Sequence, residues 1–447
     1  MALRQLIEAA SFLCHFLCKF EIQLKPDSMK LDRRNFLKSA SIATAGTVTF
    51  NSCKTPNTKQ SVDYSILDEI IAKPVLKRDL FPDSIIIESL ELLRYENNFL
   101  CRVRSKNGAE GISVGNNDQL KSLYPIFINR LQPFFPGKDA RDWETLLEEV
   151  YVYQSNYKLQ NLALWVPLAT IEFAILDMLG RIAGKSIGEL VGEIHNPKIA
   201  VYQANGDRDI SAEKTIENIR EQLEESKAKA IKFKVGGRMS NNFESPHGRT
   251  EELIPLIRKT FGDEMTIYAD SNGSYTVDEA IRIGKILEEY KIDFYEEPVP
   301  FDWYEETKQV KNGLKIPIAG GEQEPSMRNF RWLIGNRALD IVQPDIFYFG
   351  GMIRSMKVAR MADVFGMPCT PHISGSGLGY LYMMHFVAAI SNPGPFHEFK
   401  GFNNEIPLEC KTSKLDSDAG VVTIPSGPGS GIEIDPGFIA KHTVVTA

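Results

Sequence analysis

The sequence predicts an α/β protein in which a small α+β unit is followed by a (β/α) barrel. After residue 197, eight short apolar segments alternate with longer segments whose apolar residues recur at helical spacing. All eight segments end in polar or ionisable residues, and the strand ends of a barrel converge on one mouth. A doubly wound open sheet is the alternative, but it would scatter those ends. We therefore prefer the barrel.

The segments before residue 197 predict the α+β unit. Two strands, SIIIESLELLRY and FLCRVRSKNGAEGIS, are joined by a tight turn at Glu96-Asn97-Asn98. Helical patterns follow in DQLKSLYPIFINRLQPFF, DWETLLEEVYVY and PLATIEFAILDMLGRIAGKSIGELVG. The eight predicted barrel strands are AVYQANG, AIKFKVGG, MTIYADSNG, DFYEEPVP, IPIAGGEQ, DIVQPDI, PCTPHIS and PFHEFKG.

The composition is ordinary for a soluble globular protein, with 43% hydrophobic and 24% charged residues among 447. The 51 Lys and Arg residues against 58 Asp and Glu residues give a net charge of −7, and no basic patch predicts nucleic-acid binding. Of the six cysteines, Cys101, Cys369 and Cys410 follow the N-terminal leader. Their odd number and irregular spacing predict neither a disulfide framework nor a zinc site.

The N-terminus resembles an export signal. Arg33 and Arg34 precede a mildly apolar run, rich in Ala, Ser and Thr, that ends at Cys53. We predict a twin-arginine signal and an exported, periplasmic protein, with Cys53 as a site for a lipid anchor and the one contact with a membrane. The alternative is an amphipathic helix that contains two arginines. Residues 1–28 precede a second methionine, Met29, and are consistent with a misassigned start.

These patterns define the predicted domain organisation. A polar stretch separates the export signal from the first strand and is predicted to be a linker. The predicted boundaries are a leader over 1–60, the linker over 61–83, the α+β unit over 84–196, the barrel over 197–400 and a C-terminal segment over 401–447.

Ionisable residues recur at the ends of the predicted barrel strands. Subtracting consecutive positions gives 36 and then 26, 26, 23, 27 and 26, which is the length of one strand, one helix and their loops. The spacing therefore places these groups at one height around the mouth. The series is Lys234, Asp270, Glu296, Glu322, Asp345, His372 and Glu398.

Three carboxylates of this series, Asp270, Glu296 and Glu322, follow adjacent strands and predict an all-oxygen site for Mg²⁺. Any one of them alone would more often be a loop cap or a surface charge, but three in register favour a metal site. Glu297 is an alternative to Glu296, because alternation along a strand lets one of the two face the mouth. Spacing does not decide which.

Two candidate bases flank the carboxylates. Lys232 and Lys234 share one face of a strand in KAIKFKVGG, so two ammonium groups are predicted to lie close together in a buried segment. On the other side, Asp345 and His372 form a pair of the kind that orients an imidazole and raises its basicity. A metal between two such bases suggests removal of the proton next to a carboxylate, with Mg²⁺ stabilising the ene-diolate. Glu398 would add an acid at the far side.

The motifs that carry these residues are KFK (232–234), DSN (270–272), EEP (296–298), GE (321–322), QPD with FGG (343–351), TPH (370–372) and HEF (397–399). As a set they resemble the mandelate racemase subgroup of the enolase superfamily, from about residue 84 to the C-terminus. The resemblance implies a (β/α)7β modified TIM barrel with an N-terminal α+β capping domain, to which the C-terminal segment returns.

The resemblance also implies roles for the site residues. It implies that Asp270, Glu296 (rather than Glu297) and Glu322 hold the metal. It implies Lys234 as one base, with Lys232 lowering its pKa, and His372, supported by Asp345, as the opposite base or acid. Protonated Glu398 would donate a hydrogen bond to the substrate carboxylate.

Sites of this kind in the subgroup most often dehydrate acid sugars, which implies a small carboxylate substrate, a 2-keto-3-deoxy product and Mg²⁺ as cofactor. A racemase or epimerase is the second interpretation, and a cycloisomerase that uses an internal alkoxide is the third. A non-catalytic exported protein that binds sugar acids belongs to a different class. It is disfavoured because every catalytic position carries a competent residue. The resemblance further implies a homo-oligomer.

Polar residues near the strand ends are candidates for substrate contact, namely Tyr202, Asn205, Asn272 and Tyr348. Relatives close the site with a loop between the first two strands, but here that connection is the short RYENNF turn. The longer loop over residues 236–250 is predicted to cover the mouth instead.

Overall fold

The structure, a computed structural model, describes residues 62–154, 158–374, 377–400 and 406–446. The predicted twin-arginine motif at Arg33-Arg34, the lipid-modification site at Cys53 and the alternative start at Met29 lie outside these residues and remain predictions. The antiparallel and parallel sheets described below belong to one structural unit.

The stretch predicted as a linker is in part an ordered helix. Helix α1, Ser65–Ala72, buries Leu67 and Ile70 against the rest of the protein. Asp68 on its other face receives hydrogen bonds from Arg331, whose guanidinium also lies 3.9 Å from the ring centroid of Tyr64. The linker prediction failed because two apolar residues in a short polar segment give too weak a periodic signal.

The α+β unit contains an antiparallel sheet built from the strands β1 Ile87–Tyr95, β2 Asn98–Ser105, β3 Glu110–Val114 and β14 Thr443–Val444. Their order is β14-β1-β2-β3. The predicted tight turn joins β1 to β2, and Glu96 takes a left-handed φ of 52° there. The pairing of β14 with Leu93 and Arg94 places the end of the chain at the edge of this sheet.

The helices of this unit are α2 Asn117–Ile126, α3 Trp143–Val152, α4 Leu162–Ala183 and α5 Ile187–Val191. Helix α4 has a mean hydropathy of 1.8 over its most apolar window and is long enough to cross a membrane, but 89% of that window is buried inside the protein. It is therefore a core helix. Gly111 of β3 allows the close approach, because a Cβ there would overlap the backbone of Ala174 and Met178.

The parallel sheet confirms the predicted barrel. Its strands are β4 Lys198–Ala204, β5 Ala230–Lys234, β6 Thr266–Asp270, β7 Phe294–Glu296, β8 Ile318–Gly320, β9 Ile341–Val342 and β10 His397–Phe399. The sheet order is β10-β4-β5-β6-β7-β8-β9, and every neighbouring pair is parallel. Helices alternate with these strands: α6 Ala212–Ser226, α7 Arg249–Phe261, α8 Val277–Glu289, α9 Tyr304–Gly313, α10 Met327–Gly335, α11 Met352–Val364 and α12 Leu378–Ala389.

The predicted seventh strand, PCTPHIS, does not form as a strand. Cys369 alone connects the sheet there, through isolated parallel bridges to Val342 and Pro393. The physical reason is the pair Pro368 and Pro371, because proline lacks the N–H that a ladder needs. The segment nevertheless occupies the position between β9 and the chain that leads into β10.

The C-terminal segment adds elements that the sequence analysis did not predict. They are β11 Leu408–Glu409, β12 Val421–Thr423, β13 Glu433–Ile434 and helix α13 Pro436–Ile439. Strand β12 pairs with β4 in antiparallel orientation, from the Val421–Ala200 pair to the Thr423–Lys198 pair. It thereby extends the parallel sheet at the end remote from the mouth.

The α+β unit and the barrel are joined by a buried carboxylate. Glu172 of α4 is fully buried and accepts hydrogen bonds from the Trp143 indole at 2.8 Å and from the backbone N–H of Ile353 at 3.0 Å. It therefore binds the N-terminus of α11, where backbone N–H groups are free to donate. Gly351, the N-cap residue of that helix, has a φ of 114°, and a Cβ on it would overlap the Glu172 carboxylate.

Replacing Gly351 with alanine is expected to lower the free energy of unfolding by at least about 2 kcal/mol. Alanine is strained at a positive φ, and its Cβ would also overlap the Glu172 carboxylate. Thermal or denaturant unfolding followed by circular dichroism measures the effect. Gly206→Ala is the control, since a Cβ at Gly206 meets no heavy atom within 4 Å. Equal stability of the two variants would contradict this account of the junction.

Candidate active site

Strand register brings the first site residues side by side. Lys234 pairs with Asp270 across β5 and β6, and Asp270 pairs with Glu296 across β6 and β7. Glu322 lies two positions beyond the end of β8, in the turn that follows. The predicted common height is therefore accurate for the first three residues, while Glu322 reaches the same point from a loop.

The carboxylates of Asp270, Glu296 and Glu322 form a buried cluster in which one oxygen from each lies within 4.8 Å of the others. Burial and the neighbouring Asp270 carboxylate raise the pKa of Glu296, while the Lys232 ammonium opposes the shift. Burial also opposes ionisation of Asp270, but the ammonium groups of Lys234 and Lys232 outweigh it and lower the pKa of Asp270. Hard oxygen donors that repel each other at this distance fit a small divalent cation.

Each lysine of the KFK motif has its own carboxylate. Lys232 Nζ donates to both Glu296 oxygens at 2.9 Å and lies 3.8 Å from Glu398 Oε1. Burial disfavours its ammonium form, but Glu296 and Glu398 outweigh this and raise the pKa of Lys232. Lys234 Nζ contacts the Asp270 carboxylate and donates to Asn272 Oδ1 at 3.1 Å. Ion pairing therefore offsets the cost of burying two neighbouring cations.

The Asp345–His372 pair lies across the cluster from the lysines. His372 Nδ1 and Asp345 Oδ2 are 2.7 Å apart, while His372 Nε2 faces Glu322 Oε2 at 3.5 Å and Glu398 Oε2 at 3.9 Å. Burial disfavours the imidazolium, but the carboxylates of Glu322 and Glu398 outweigh it and raise the pKa of His372 to about 8. The two predicted bases thus flank the carboxylate cluster from opposite sides.

The surroundings of Glu398 disfavour the protonated state in which it is predicted to donate a hydrogen bond. Burial opposes its ionisation, but the cationic groups of Lys232, Lys400 and His372 lower the pKa of Glu398 well below its usual value. Its Oε2 accepts a hydrogen bond from the Ile373 N–H at 3.1 Å. The prediction considered the acid alone and not the cations that strand order brings around it.

Glu297 does not obey strand alternation. It follows the last residue of β7 with a left-handed φ of 42°, so its side chain stays buried beside the cluster instead of turning away. Asn272 Nδ2 lies 3.5 Å from Glu297 Oε2 and 3.4 Å from Glu322 Oε1. Among the described residues, Glu297 Oε1 has no hydrogen-bond partner. Glu296 belongs to the three-carboxylate cluster, and Glu297 lies next to it.

Two of the four candidate substrate residues lie at the site, and the other two lie away from it. Asn272 contacts Lys234 and the acids of the cluster, and the Tyr348 ring lies 6.3 Å from the His372 ring. Tyr202 is instead fully buried in the barrel interior, where its ring lies 5.3 Å from Lys232 Nζ. Asn205 donates to Asp207 and Gln222 in its own loop and the following helix. These positions disfavour Tyr202 and Asn205 as substrate contacts.

Ser374 and Asn116 belong to the site but were not predicted from the sequence. Ser374 donates to Asp345 through its N–H at 2.7 Å and its hydroxyl at 2.9 Å. Asn116, which caps the start of α2 in the α+β unit, donates to the Ser374 hydroxyl at 3.1 Å. The N-cap pattern at Asn116 was readable, but its second contact required the tertiary structure. A chain of hydrogen bonds therefore runs from the α+β unit to His372.

Ser374→Ala is expected to lower kcat about tenfold and to leave KM nearly unchanged, because a hydrogen bond that orients the Asp345 carboxylate is lost. Steady-state kinetics measures both constants, and Ser374→Thr should restore kcat in part. Ser355→Ala removes another buried hydroxyl, one bound to the Gly351 carbonyl, and serves as the control. Equal losses in the two alanine variants would contradict a positioning role for Ser374.

The loop over residues 236–250 runs beside the end of β6. Met239 N donates to the Asn272 carbonyl at 3.1 Å, and Asn242 N donates to the Ser274 carbonyl at 2.8 Å. Arg238, Met239, Asn272 and Glu297 line a small cavity there, together with Gly273, Phe301 and Gln323. The loop thus adjoins the site, and its closure over the mouth stays a prediction.

Comparison with known proteins decides the family. The model of the family described as "Enolase C-terminal domain-like" matches residues 214–438, which span α6 to α13 and contain every residue of the strand-end series. This chain belongs to the enolase superfamily. The parallel sheet and the superfamily assignment together confirm the predicted barrel, and the protein is an enzyme, a lyase or an isomerase.

Relatives of this superfamily member act on acid sugars. It is 30% identical to D-galactarolactone cycloisomerase of Agrobacterium fabrum over 311 residues, 67% of this chain and 79% of the relative. It is 28% identical to arabinonate dehydratase of Saccharolobus solfataricus over 315 residues, 70% of this chain and 81% of the relative. A mandelate racemase/muconate lactonizing protein of Paracoccus denitrificans, solved in complex with magnesium, shares the fold with a TM-score of 0.72 at 22% identity, over 81% of this chain and all of that one.

Proposed function

We propose that this protein dehydrates an acid sugar to a 2-keto-3-deoxy sugar acid, with Mg²⁺ held by Asp270, Glu296 and Glu322. The observation that carries the proposal is the placement of two bases, Lys234 and His372, on opposite sides of these carboxylates. When bound, Mg²⁺ supplies positive charge that stabilises the negative charge developing on the substrate carboxylate.

The two bases divide the proton transfers. Lys234 Nζ takes the proton from the carbon next to the carboxylate, and the electron pair of that C–H bond moves into the carboxylate. His372 Nε2 then gives a proton to the β-hydroxyl, whose C–O bond breaks as water leaves. The enol that remains tautomerises to the 2-keto acid. A raised pKa of about 8 suits His372 to this step, because it is then protonated at neutral pH.

A panel of mono- and dicarboxylic acid sugars with Mg²⁺, assayed for 2-keto products, tests the proposal. We expect turnover of at least one acid and its loss when EDTA removes the metal. Turnover to an isomer without release of water would instead support cycloisomerisation, which the 30% identity to a cycloisomerase favours as the second candidate. Binding without turnover and without α-proton exchange would favour a non-catalytic sugar-acid-binding protein.

We propose further that the protein is exported to the periplasm and forms a homo-oligomer. The first proposal is supported by Arg33, Arg34 and the run of small residues that ends at Cys53. Fractionation of cells that carry the wild-type chain or the Arg33→Lys, Arg34→Lys double variant tests it, and equal cytoplasmic retention of both would contradict export. Light scattering of the purified protein tests the oligomer.

A further inference from the structure

We infer that Arg238 is a specificity-determining residue that binds a second carboxylate, so that the preferred substrate is a dicarboxylic acid sugar. The inference rests on the proposed function, because it assumes that the first carboxylate of the substrate binds at the cluster of Asp270, Glu296 and Glu322. It assigns a role to the loop over residues 236–250, which the proposed chemistry does not use.

Three basic side chains converge on the amide oxygen of Asn272. Asn272 Oδ1 accepts from Arg208 Nη2 at 2.6 Å, from Lys234 Nζ at 3.1 Å and from Arg238 Nη2 at 3.4 Å. The nitrogen atoms of Arg208 and Arg238 that share this oxygen are therefore no more than two hydrogen-bond lengths apart. The two guanidinium groups repel each other at this distance, and a neutral amide oxygen compensates them only in part.

The three basic side chains differ in their other hydrogen-bond and ionic partners. Lys234 contacts the Asp270 carboxylate. Arg208 is half-buried and also donates to the backbone carbonyls of Val235, Gly236 and Gly237, which makes it part of the loop structure. Arg238 is exposed, and among the described residues its guanidinium makes one long hydrogen bond, to Asn272. Within the described part of the chain, no carboxylate oxygen lies within 4.0 Å of its guanidinium nitrogens.

The position of Arg238 suits it to the distal end of a substrate. Its side chain lines the small cavity that Asn272, Glu297 and Gln323 also line. Asn272 contacts Arg238 through Oδ1 and Glu322 through Nδ2, so a single amide group separates the guanidinium from the carboxylate cluster. A sugar acid with one end at the cluster can therefore reach Arg238 with its other end.

The guanidinium of Arg238 favours a carboxylate over a hydroxyl at the distal end of the substrate. A planar guanidinium with free N–H groups binds a carboxylate through two parallel hydrogen bonds, and it binds a hydroxyl more weakly. An aldarate, which has a carboxylate at both ends, would neutralise Arg238. An aldonate of the same configuration would offer it only a terminal hydroxyl. The unpaired charge therefore favours the dicarboxylic acid.

Kinetics with matched substrates tests the inference. Galactarate, glucarate and mannarate are compared with galactonate, gluconate and mannonate for wild type, Arg238→Met and Arg238→Lys, in Mg²⁺. We expect kcat/KM to favour the aldarate of the best pair by about 10-fold to 100-fold. Arg238→Met should remove that preference by lowering kcat/KM for the aldarate, with the aldonate changed less than about twofold. Arg238→Lys should retain part of it.

Arg220→Met is the matched control, because Arg220 is an exposed arginine on helix α6 outside the site. It should leave both substrate classes unchanged. A wild-type preference for aldonates, or equal losses on both classes in Arg238→Met, would overturn the inference while leaving dehydration intact. Should wild type turn over none of the acids, the proposed function fails. Thermal shift then decides the inference about Arg238. Support for it requires that galactarate stabilises wild type more than galactonate does, and that Arg238→Met abolishes this difference. Any other result overturns it.

Discussion

His372→Asn is expected to lower kcat for dehydration by about 10²-fold to 10⁴-fold, the usual contribution of a positioned general acid or base. The reason is geometric. Asp345 fixes the imidazole through a 2.7 Å contact at Nδ1, and Nε2 alone faces the carboxylate cluster. Asparagine keeps a polar group near Asp345 but supplies no proton at neutral pH. Steady-state kinetics on the substrate found by the acid-sugar panel measures the loss.

The pH dependence provides a second readout of the same residue. His372 must be protonated to release the β-hydroxyl as water, and its pKa is raised to about 8. Activity should therefore persist at neutral pH and fall as the pH rises through about 8, and this decline should be absent in His372→Asn. His195→Asn, which alters an exposed histidine outside the site, is the control. A wild-type rate in His372→Asn would contradict the assignment.

Glu296→Gln is expected to lower kcat by at least 10²-fold to 10³-fold and to weaken Mg²⁺ binding measured by titration calorimetry. The substitution keeps the size of the side chain and removes the charge of a carboxylate that lies within 4.8 Å of Asp270 and Glu322. It also removes the charge that faces Lys232, so the folded state must be verified by circular dichroism.

Glu297→Gln is the matched comparison for this variant. The two residues are adjacent, both are buried, and the substitution makes the same change of charge. Because Glu297 lies next to the cluster and outside its three closest oxygens, its replacement should cost less activity and less Mg²⁺ affinity. A larger loss in Glu297→Gln than in Glu296→Gln would show that the ligand has been misassigned.

Much of the barrel could be predicted from sequence because its signals are local. Seven of the eight predicted strands end in an ionisable residue, and after the first interval the ends are 23 to 27 residues apart. Parallel pairing then aligns Lys234, Asp270 and Glu296 without further information. The prediction failed where a single residue changes the local backbone. Pro368 and Pro371 reduce the seventh strand to one bridging residue, and the left-handed φ of Glu297 cancels its alternation.

The parts of the site that the sequence could not predict depend on contacts between distant segments. Asn116 and Ser374 are 258 positions apart, and neither belongs to a motif that indicates the other. The lowered pKa of Glu398 depends on Lys232, Lys400 and His372, which converge only in the folded barrel. The role inferred for Arg238 depends on the absence of a carboxylate partner among the described residues, and only a structure can show such an absence.

Exchange of the substrate α-proton in heavy water tests the central claim, that two bases on opposite sides of the carboxylate cluster divide the work. Nuclear magnetic resonance follows the exchange in wild type, Lys234→Met and His372→Asn. We expect His372→Asn still to exchange the α-proton but to release water at least about 10²-fold more slowly than wild type, and Lys234→Met to be impaired in both steps. Exchange at the wild-type rate in Lys234→Met would contradict the division of work between the two bases.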